Sequence, residues 1–369
     1  AFALRFGGVT YAQFLTSDLV LHVHNVQSVL QGVWVFTEPV PDGTLVPYPP
    51  AYYMIVGMLS WLFGQSEEIL GLLLKWTASV LDASACLALA WAGARVWSAR
   101  AGAWAAAAYA ASPAAFDLFS AGNYTNIFAQ SVLNLTLLLG VAYLGSRARW
   151  SWAAPGWLAL GFGLTMLGHY GMMLGALVIL AFFLVWAVVN SLQRHAQPRA
   201  WVVLGAAGLA LGASVALYFW RLADLILNQW GGVLSRLTVG QTAAQQSRPG
   251  AGDLLGRLLR QSGDLVGWIS VISGVGGLAM WGRTAGGARA LIGSALAASL
   301  VFAALDQLVG DAVRWYYMAA VPLALPAGIY LARLALVRKT GIALALLVAA
   351  VMGWQALTFW ISLIFTRYH

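Results

Sequence analysis

A single cysteine, Cys86, sits inside an apolar run, so the chain forms no internal disulfide and the thiol reads as a small packing residue. Charge is scarce too. Only 9% of the 369 residues are charged, against roughly a quarter in soluble domains, and 61% are hydrophobic. With a mean hydropathy of +0.78 this excludes a water-soluble globular domain and leaves a polytopic membrane protein. No charged n-region followed by a long apolar stretch opens the sequence, so no intact signal peptide is visible. No repeat with a period of about 20–50 residues recurs. The net charge of +8 is not a nucleic-acid footprint, because the arginines stand singly or in pairs between apolar runs. Arg in large excess over Lys, with abundant Ala and Gly, fits a GC-rich bacterial source.

What the chain has in plenty is apolar length and aromatic rings. Ten runs are long enough to cross a bilayer, about 20 residues each: 69–96, 101–117, 124–146, 152–168, 171–193, 201–220, 264–281, 288–309, 315–335 and 341–365. The 18 Trp and 13 Tyr suit the two interfaces, where an apolar ring with one polar tip is at home. Alternate connections carry the positive charge: Arg95 and Arg100, Arg147 and Arg149, Arg194 and Arg199, Arg283 and Arg289, Arg338 and Lys339. The connections between them hold Asp117, His169, Asp224, Asp264, Asp306 and Asp311. The positive-inside rule makes the first set cytoplasmic and the second exterior. The expected architecture is therefore all-α, a polytopic transmembrane bundle of about ten spans in the plasma (inner) membrane, with its working face outside.

Four segments follow from this. Residues 1–68 hold the tail of a first span, whose start is expected upstream of Ala1, and a first exterior loop with juxtamembrane helices. The stretch 49–64 is apolar but short and carries two prolines, so it is expected to lie in the interface or re-enter. Residues 69–220 form a transmembrane core, and 264–369 the C-terminal helices. Between them, 221–263 is polar and Gln/Gly-rich, ending in leucines at helical spacing with arginines on another face; it reads equally as a substrate lid or a plain connector.

Acids beside a membrane are costly to hold there and usually mark a site. Asp18 and His22 lie four apart on one face if 16–31 is helical, while His24 points elsewhere. Asp18 then has three readings: general base toward a hydroxyl, ligand to a divalent metal together with His22, or cap of its own helix. Asp117, followed by Gly122 and Asn123, is a candidate second acid or a solvated residue at a helix end. His169 and Tyr170 interrupt two apolar runs on the same face, and Arg314, Tyr316 and Tyr317 open a late span. Arg314 breaks the positive-inside pattern, and a phosphate or a local pair with Asp311 would explain it. Arg221 and Arg236 are further phosphate candidates, and Tyr52 and Tyr53 join the list of substrate contacts. Lys75 and Asp82, two helical turns apart in the first long span, read as a structural polar pair.

Taken together these residues resemble the GT-C superfamily of polyprenyl-phosphate-sugar-dependent glycosyltransferases. The likeness runs through Asp18 and His22, the segment Tyr48-Pro49-Pro50-Ala51-Tyr52-Tyr53, and Leu62-Phe63-Gly64. It continues in a span ending at Arg95 and Arg100, in Ala111-Ser112-Pro113, and in a late span opening with Arg314 and Tyr317. It covers roughly residues 10–190 in order and 311–335 more loosely. The resemblance implies Asp18 as the base that activates an acceptor hydroxyl, Asp117 as a second exterior acid, and Arg314 as the holder of lipid-linked phosphate. It implies a polyprenyl-phosphate sugar as donor, an exterior protein, lipid or glycan as acceptor, membrane lipids as surroundings and no nucleic acid. The family's paired acids are here a single one, Asp18 followed by Leu19, which leaves a divalent metal as a candidate cofactor only. The expectation is a membrane glycosyltransferase; the alternatives are a non-catalytic scaffold subunit with partner membrane subunits, or a transporter.

Overall fold

The computed structural model describes residues 1–10, 18–39, 45–145, 153–193, 197–228, 251–282, 286–306 and 313–366. Helix α1 (Phe2–Val9) is followed by α2 (Leu19–Leu30) and a small antiparallel hairpin, β1 (Phe36–Pro39) and β2 (Leu45–Tyr48), in which Phe36 pairs Tyr48. Among the described residues this hairpin is the one addition to an otherwise helical architecture. Next come α3 (Ala51–Phe63), α4 (Glu67–Val96), α5 (Ala99–Ala110), α6 (Pro113–Ala121), α7 (Tyr124–Gly145), α8 (Ala153–Met166), α9 (Tyr170–Leu192) and α10 (Pro198–Leu217). The last third holds α11 (Ala251–Gln261), α12 (Trp268–Met280), α13 (Gly286–Asp306), α14 (Val313–Leu334) and α15 (Arg338–Thr366).

Seven of these helices are long and apolar enough to cross a membrane: α4, α7, α9, α10, α13, α14 and α15. An eighth is added if α11, its π-helical continuation and α12, bent by 95°, count as one broken span. The protein is multi-pass, and three of the ten apolar runs account for the lower number. The run 101–117 is two helices, because Pro113 has no N–H to bond back and its ring clashes with the preceding turn; it starts α6 instead of continuing α5. The run 152–168 yields only the 14-residue α8, and 264–281 is the bent pair. Helix α3, with 13 residues, is about 20 Å long and falls short of a roughly 30 Å hydrocarbon core.

Burial identifies the centre. The apolar windows of α7 and α14 are each 83% buried, against 17% for α15. Helix α7 turns Thr125, Asn126, Gln130, Ser131 and Asn134 inward, while α15 presents Leu346, Leu347, Trp354 and Ile361 outward. A bundle surrounded by lipid inverts the soluble rule in this way, since apolar contact between helices gains little over contact with lipid. Close approach then depends on small residues. A Cβ on Gly93 of α4 would sit 2.5 Å from Gly102 Cα of α5, and one on Gly328 of α14 would strike Ala101 and Ala105 of α5. We predict that Gly102→Val lowers the unfolding free energy in detergent by about 1–3 kcal/mol, as overpacking does. Gly208→Val on α10, where a Cβ meets nothing within 4 Å, should leave the melting temperature near wild type.

Candidate functional site

The loop that precedes α4 is pinned onto one end of the bundle, here the hairpin end. Tyr218, just past α10, donates its hydroxyl to the carbonyls of Tyr48 (2.9 Å) and Phe36 (3.2 Å), one on each strand. Burial raises the Tyr218 pKa, so it stays a neutral donor. Ala51 N–H bonds Leu167 O (3.0 Å) and fixes the start of α3 against the end of α8.

Beneath this cover lies a chain of polar contacts around His22, which is 1% exposed. Asn25 Nδ2 donates to Tyr53 Oη (3.3 Å), and Tyr53 Oη lies 2.9 Å from His22 Nδ1. The donor and acceptor roles of Oη and Nδ1 in this contact follow the imidazole tautomer, and the Gly122 backbone lies on the other side of the ring. The Tyr124 ring closes the far side, edge-on at 5.8 Å. Burial lowers the His22 pKa to about 4, with the Asp18 charge and then the Gly122 backbone pulling the other way. The imidazole is therefore neutral at physiological pH. Asp18 stands at the head of α2, partly buried, and its side chain makes no capping bond to that helix.

Other candidates join this region through rings. Phe36 meets Tyr53 edge-on at 5.7 Å, and Tyr48 meets the buried His169 at 6.4 Å. Asn123 is buried in the turn between α6 and α7. Asp117 lies inside α6 and is 9% exposed, so it is no solvated residue at a helix end. Tyr170 faces Phe219 at 6.3 Å. Arg221 is exposed and stacks over Trp34 (5.1 Å) and Trp220 (5.7 Å). Three candidates have their polar atoms committed elsewhere. Tyr52 Oη donates to Leu74 O (2.6 Å) and meets Thr77 Oγ1 (2.9 Å); Tyr316 Oη bonds Gln261 Oε1 (3.3 Å); Tyr317 bonds Asp82. His24 is exposed on another face of α2. The Arg314 side chain, Arg236 and Asp311 lie outside the described residues.

Asp82 is not paired with Lys75. Its Oδ2 meets Arg5 Nε of α1, and its Oδ1 accepts from both Tyr109 of α5 and Tyr317 of α14; Asp82 and Arg5 are fully buried. The Arg5 guanidinium also lies over the rings of Tyr109 (5.5 Å) and Phe116 (5.2 Å). Lys75, seven residues nearer the helix start, is only partly buried. Sequence spacing favoured the local partner and missed the non-local one. Asn25 and Tyr124 were missed as well, although Asn25 sits three residues after His22 on the same helical face.

A divalent metal finds a poor donor set here. Among the described residues no three His, Cys, Asp or Glu side chains come together, and His22 Nδ1 is already turned to Tyr53.

Two outcomes follow from these geometries. With His22 near 4 when folded and about 6.5 when unfolded, the unfolded state binds more protons between those values. Stability is therefore full above about pH 6.5 and falls by up to about 3 kcal/mol as pH drops toward 4. Chemical unfolding across that range should show the slope in wild type and flatten it in His22→Gln. Asp82→Asn should cost roughly 3–5 kcal/mol by stranding Arg5, and the double change Arg5→Met/Asp82→Leu should recover most of it in the same assay.

No protein-family model and no curated protein matches the chain. Solved structures do. The oligosaccharyltransferase AglB of Archaeoglobus fulgidus, in complex with an inhibitory peptide and a dolichol-phosphate, aligns over 99% of this chain and 54% of its own at 16% identity and TM-score 0.60. A second structure of the Archaeoglobus fulgidus oligosaccharyltransferase, with zinc and sulfate, aligns over 98% and 51% at 16% identity and TM-score 0.61. ArnT of Cupriavidus metallidurans, bound to undecaprenyl phosphate, aligns over 95% and 61% at 16% identity and TM-score 0.58. The chain thus spans between about half and three fifths of the length of these proteins. Along nearly all of its own length, this chain has the GT-C fold that the oligosaccharyltransferase and ArnT share.

Proposed function

We propose that the chain is an integral-membrane glycosyltransferase that transfers a sugar from a polyprenyl-phosphate carrier to an exterior acceptor at the hairpin end of the bundle. The observation that carries this reading is the position of Asp18: a partly buried carboxylate, not used to cap α2, beside a neutral His22. The fold supports it, since related folds hold dolichol-phosphate or undecaprenyl phosphate.

In this reading the acceptor hydroxyl attacks the anomeric carbon while its proton passes to Asp18. The bond from that carbon to the phosphate oxygen breaks, and the lipid phosphate leaves with the electron pair. Arg221, with Arg314 and Arg236, is assigned to the leaving phosphate. Asp117, Asn123, His169, Tyr170 and Tyr53 are assigned to sugar and acceptor contacts. The segment 221–263 serves as lid, the hairpin end faces the exterior of the plasma membrane, and the acceptor is a protein, lipid or glycan there. A scaffold role is the second reading, favoured by the single acid at the first site.

Transfer from labelled polyprenyl-phosphate sugars in proteoliposomes should fall by about 10²-fold or more in Asp18→Asn, within the range that general bases contribute. Wild-type rates in that variant would remove Asp18 from the mechanism, and no transfer by wild type from any donor would favour the scaffold.

A further inference from the structure

The end of the bundle opposite the hairpin is cationic, and its charges are built into a defined place. Four helix termini converge there. The α4–α5 turn is drawn tight by Gly93 against Gly102, and Gly328 of α14 packs against Ala101 and Ala105 of α5. A Cβ on Gly341 would strike Leu334 O, so the start of α15 folds back on the end of α14. This convergence gathers Arg95, Arg100, Arg333 and Lys339, all exposed. Arg333 lies over the Trp97 ring at 4.8 Å, and Arg95 over Trp91 at 5.6 Å. Stacking holds these guanidinium planes in place while their N–H edges stay open to solvent.

Nothing acidic answers them. The sequence has no Asp or Glu between Asp82 and Asp117, nor anywhere after Asp311, so the segments that form this end contain no acid. Among the described residues the one ion pair in the protein is Arg5–Asp82, deep in the bundle. Beside the cations Leu336 and Val337 are 68% and 63% exposed. A partner for this surface needs negative charge at one end and an apolar body at the other.

We propose that the groove formed by the α4–α5 turn and the junction of α14 with α15 is a binding site for an anionic phospholipid. The phosphate sits between Arg100 and Arg333, and the acyl chains run along Leu336 and Val337. The apolar flank decides for a lipid over free phosphate. The site lies at the opposite end of α14 from Tyr316 and α11, and it does not depend on the proposed transferase activity.

The test uses the purified full chain in zwitterionic detergent, with native mass spectrometry reading retained lipid. Wild type is expected to hold phosphatidylglycerol at least about tenfold more than phosphatidylcholine, and phosphatidylglycerol should raise its melting temperature. The double variant Arg100→Gln/Arg333→Gln should lose both effects. A charge-matched control, Arg257→Gln/Arg260→Gln on α11, should keep them. Absence of lipid preference in wild type overturns the proposal, as does equal loss in both double variants, which would mean a diffuse charge effect. Displacement by inorganic phosphate at matched concentration also overturns it, because the apolar flank would then contribute nothing.

Discussion

A carboxylate about 22 Å along a membrane-spanning helix is the constraint around which this bundle is arranged. Asp82 can stay there only with its charge met, because hydrocarbon offers no solvation. Four helices meet that demand together: α1 supplies Arg5, α5 supplies Tyr109, α14 supplies Tyr317, and α4 carries the acid. Such a cluster need not add net stability over an apolar replacement, since desolvation offsets much of the attraction. What it fixes is register. Tyr317 lies 235 residues from Asp82 in sequence, and few other interactions in a lipid-bathed bundle specify one depth so narrowly.

That register reaches the hairpin end through α6. Phe116 lies over the Arg5 guanidinium and stacks on Trp360 at 5.1 Å, and Trp360 Nε1 donates to Leu4 O (2.9 Å). Six residues beyond Phe116, Gly122 ends α6 with φ 73° and turns its backbone toward His22. Glycine takes that left-handed conformation at little steric cost, whereas a Cβ would strain the turn and move the wall of the His22 pocket. The break at Pro113 matters for the same reason. It frees α6 from the line of α5, so one short helix touches both the ion pair and the candidate site.

Much of this was legible in the sequence, for reasons that differ by element. The long spans announce themselves by apolar length alone, which survives any error of register. Asp18 and His22 are four residues apart, so their common face needs only helical periodicity. Tyr53 lies 31 residues from His22 and belongs to another helix, so no spacing rule could join them. The Lys75–Asp82 pairing failed on the same ground: two helical turns bring residues to one face without bringing them into contact. A usable signal did exist, in Arg5 standing alone in an apolar octet, since a buried cation needs an acid at its own depth. The run 101–117 was misjudged because hydropathy averages over Pro113, whose effect is geometric.

The two carboxylates Asp18 and Asp82 separate by their surroundings. Asp82 is matched to a cation and two phenolic hydroxyls in a fully buried position. Asp18 stands beside an imidazole that burial keeps neutral, so its neighbour offers it no permanent counter-charge. A charged His22 would hold Asp18 much as Arg5 holds Asp82, and the carboxylate would then be structural. Groups of one kind placed in contrasting environments are how a protein divides structural from chemical roles. Under the proposed function that division rests on His22 lying beneath the hairpin, held by Tyr53 and covered by the strands that Tyr218 pins.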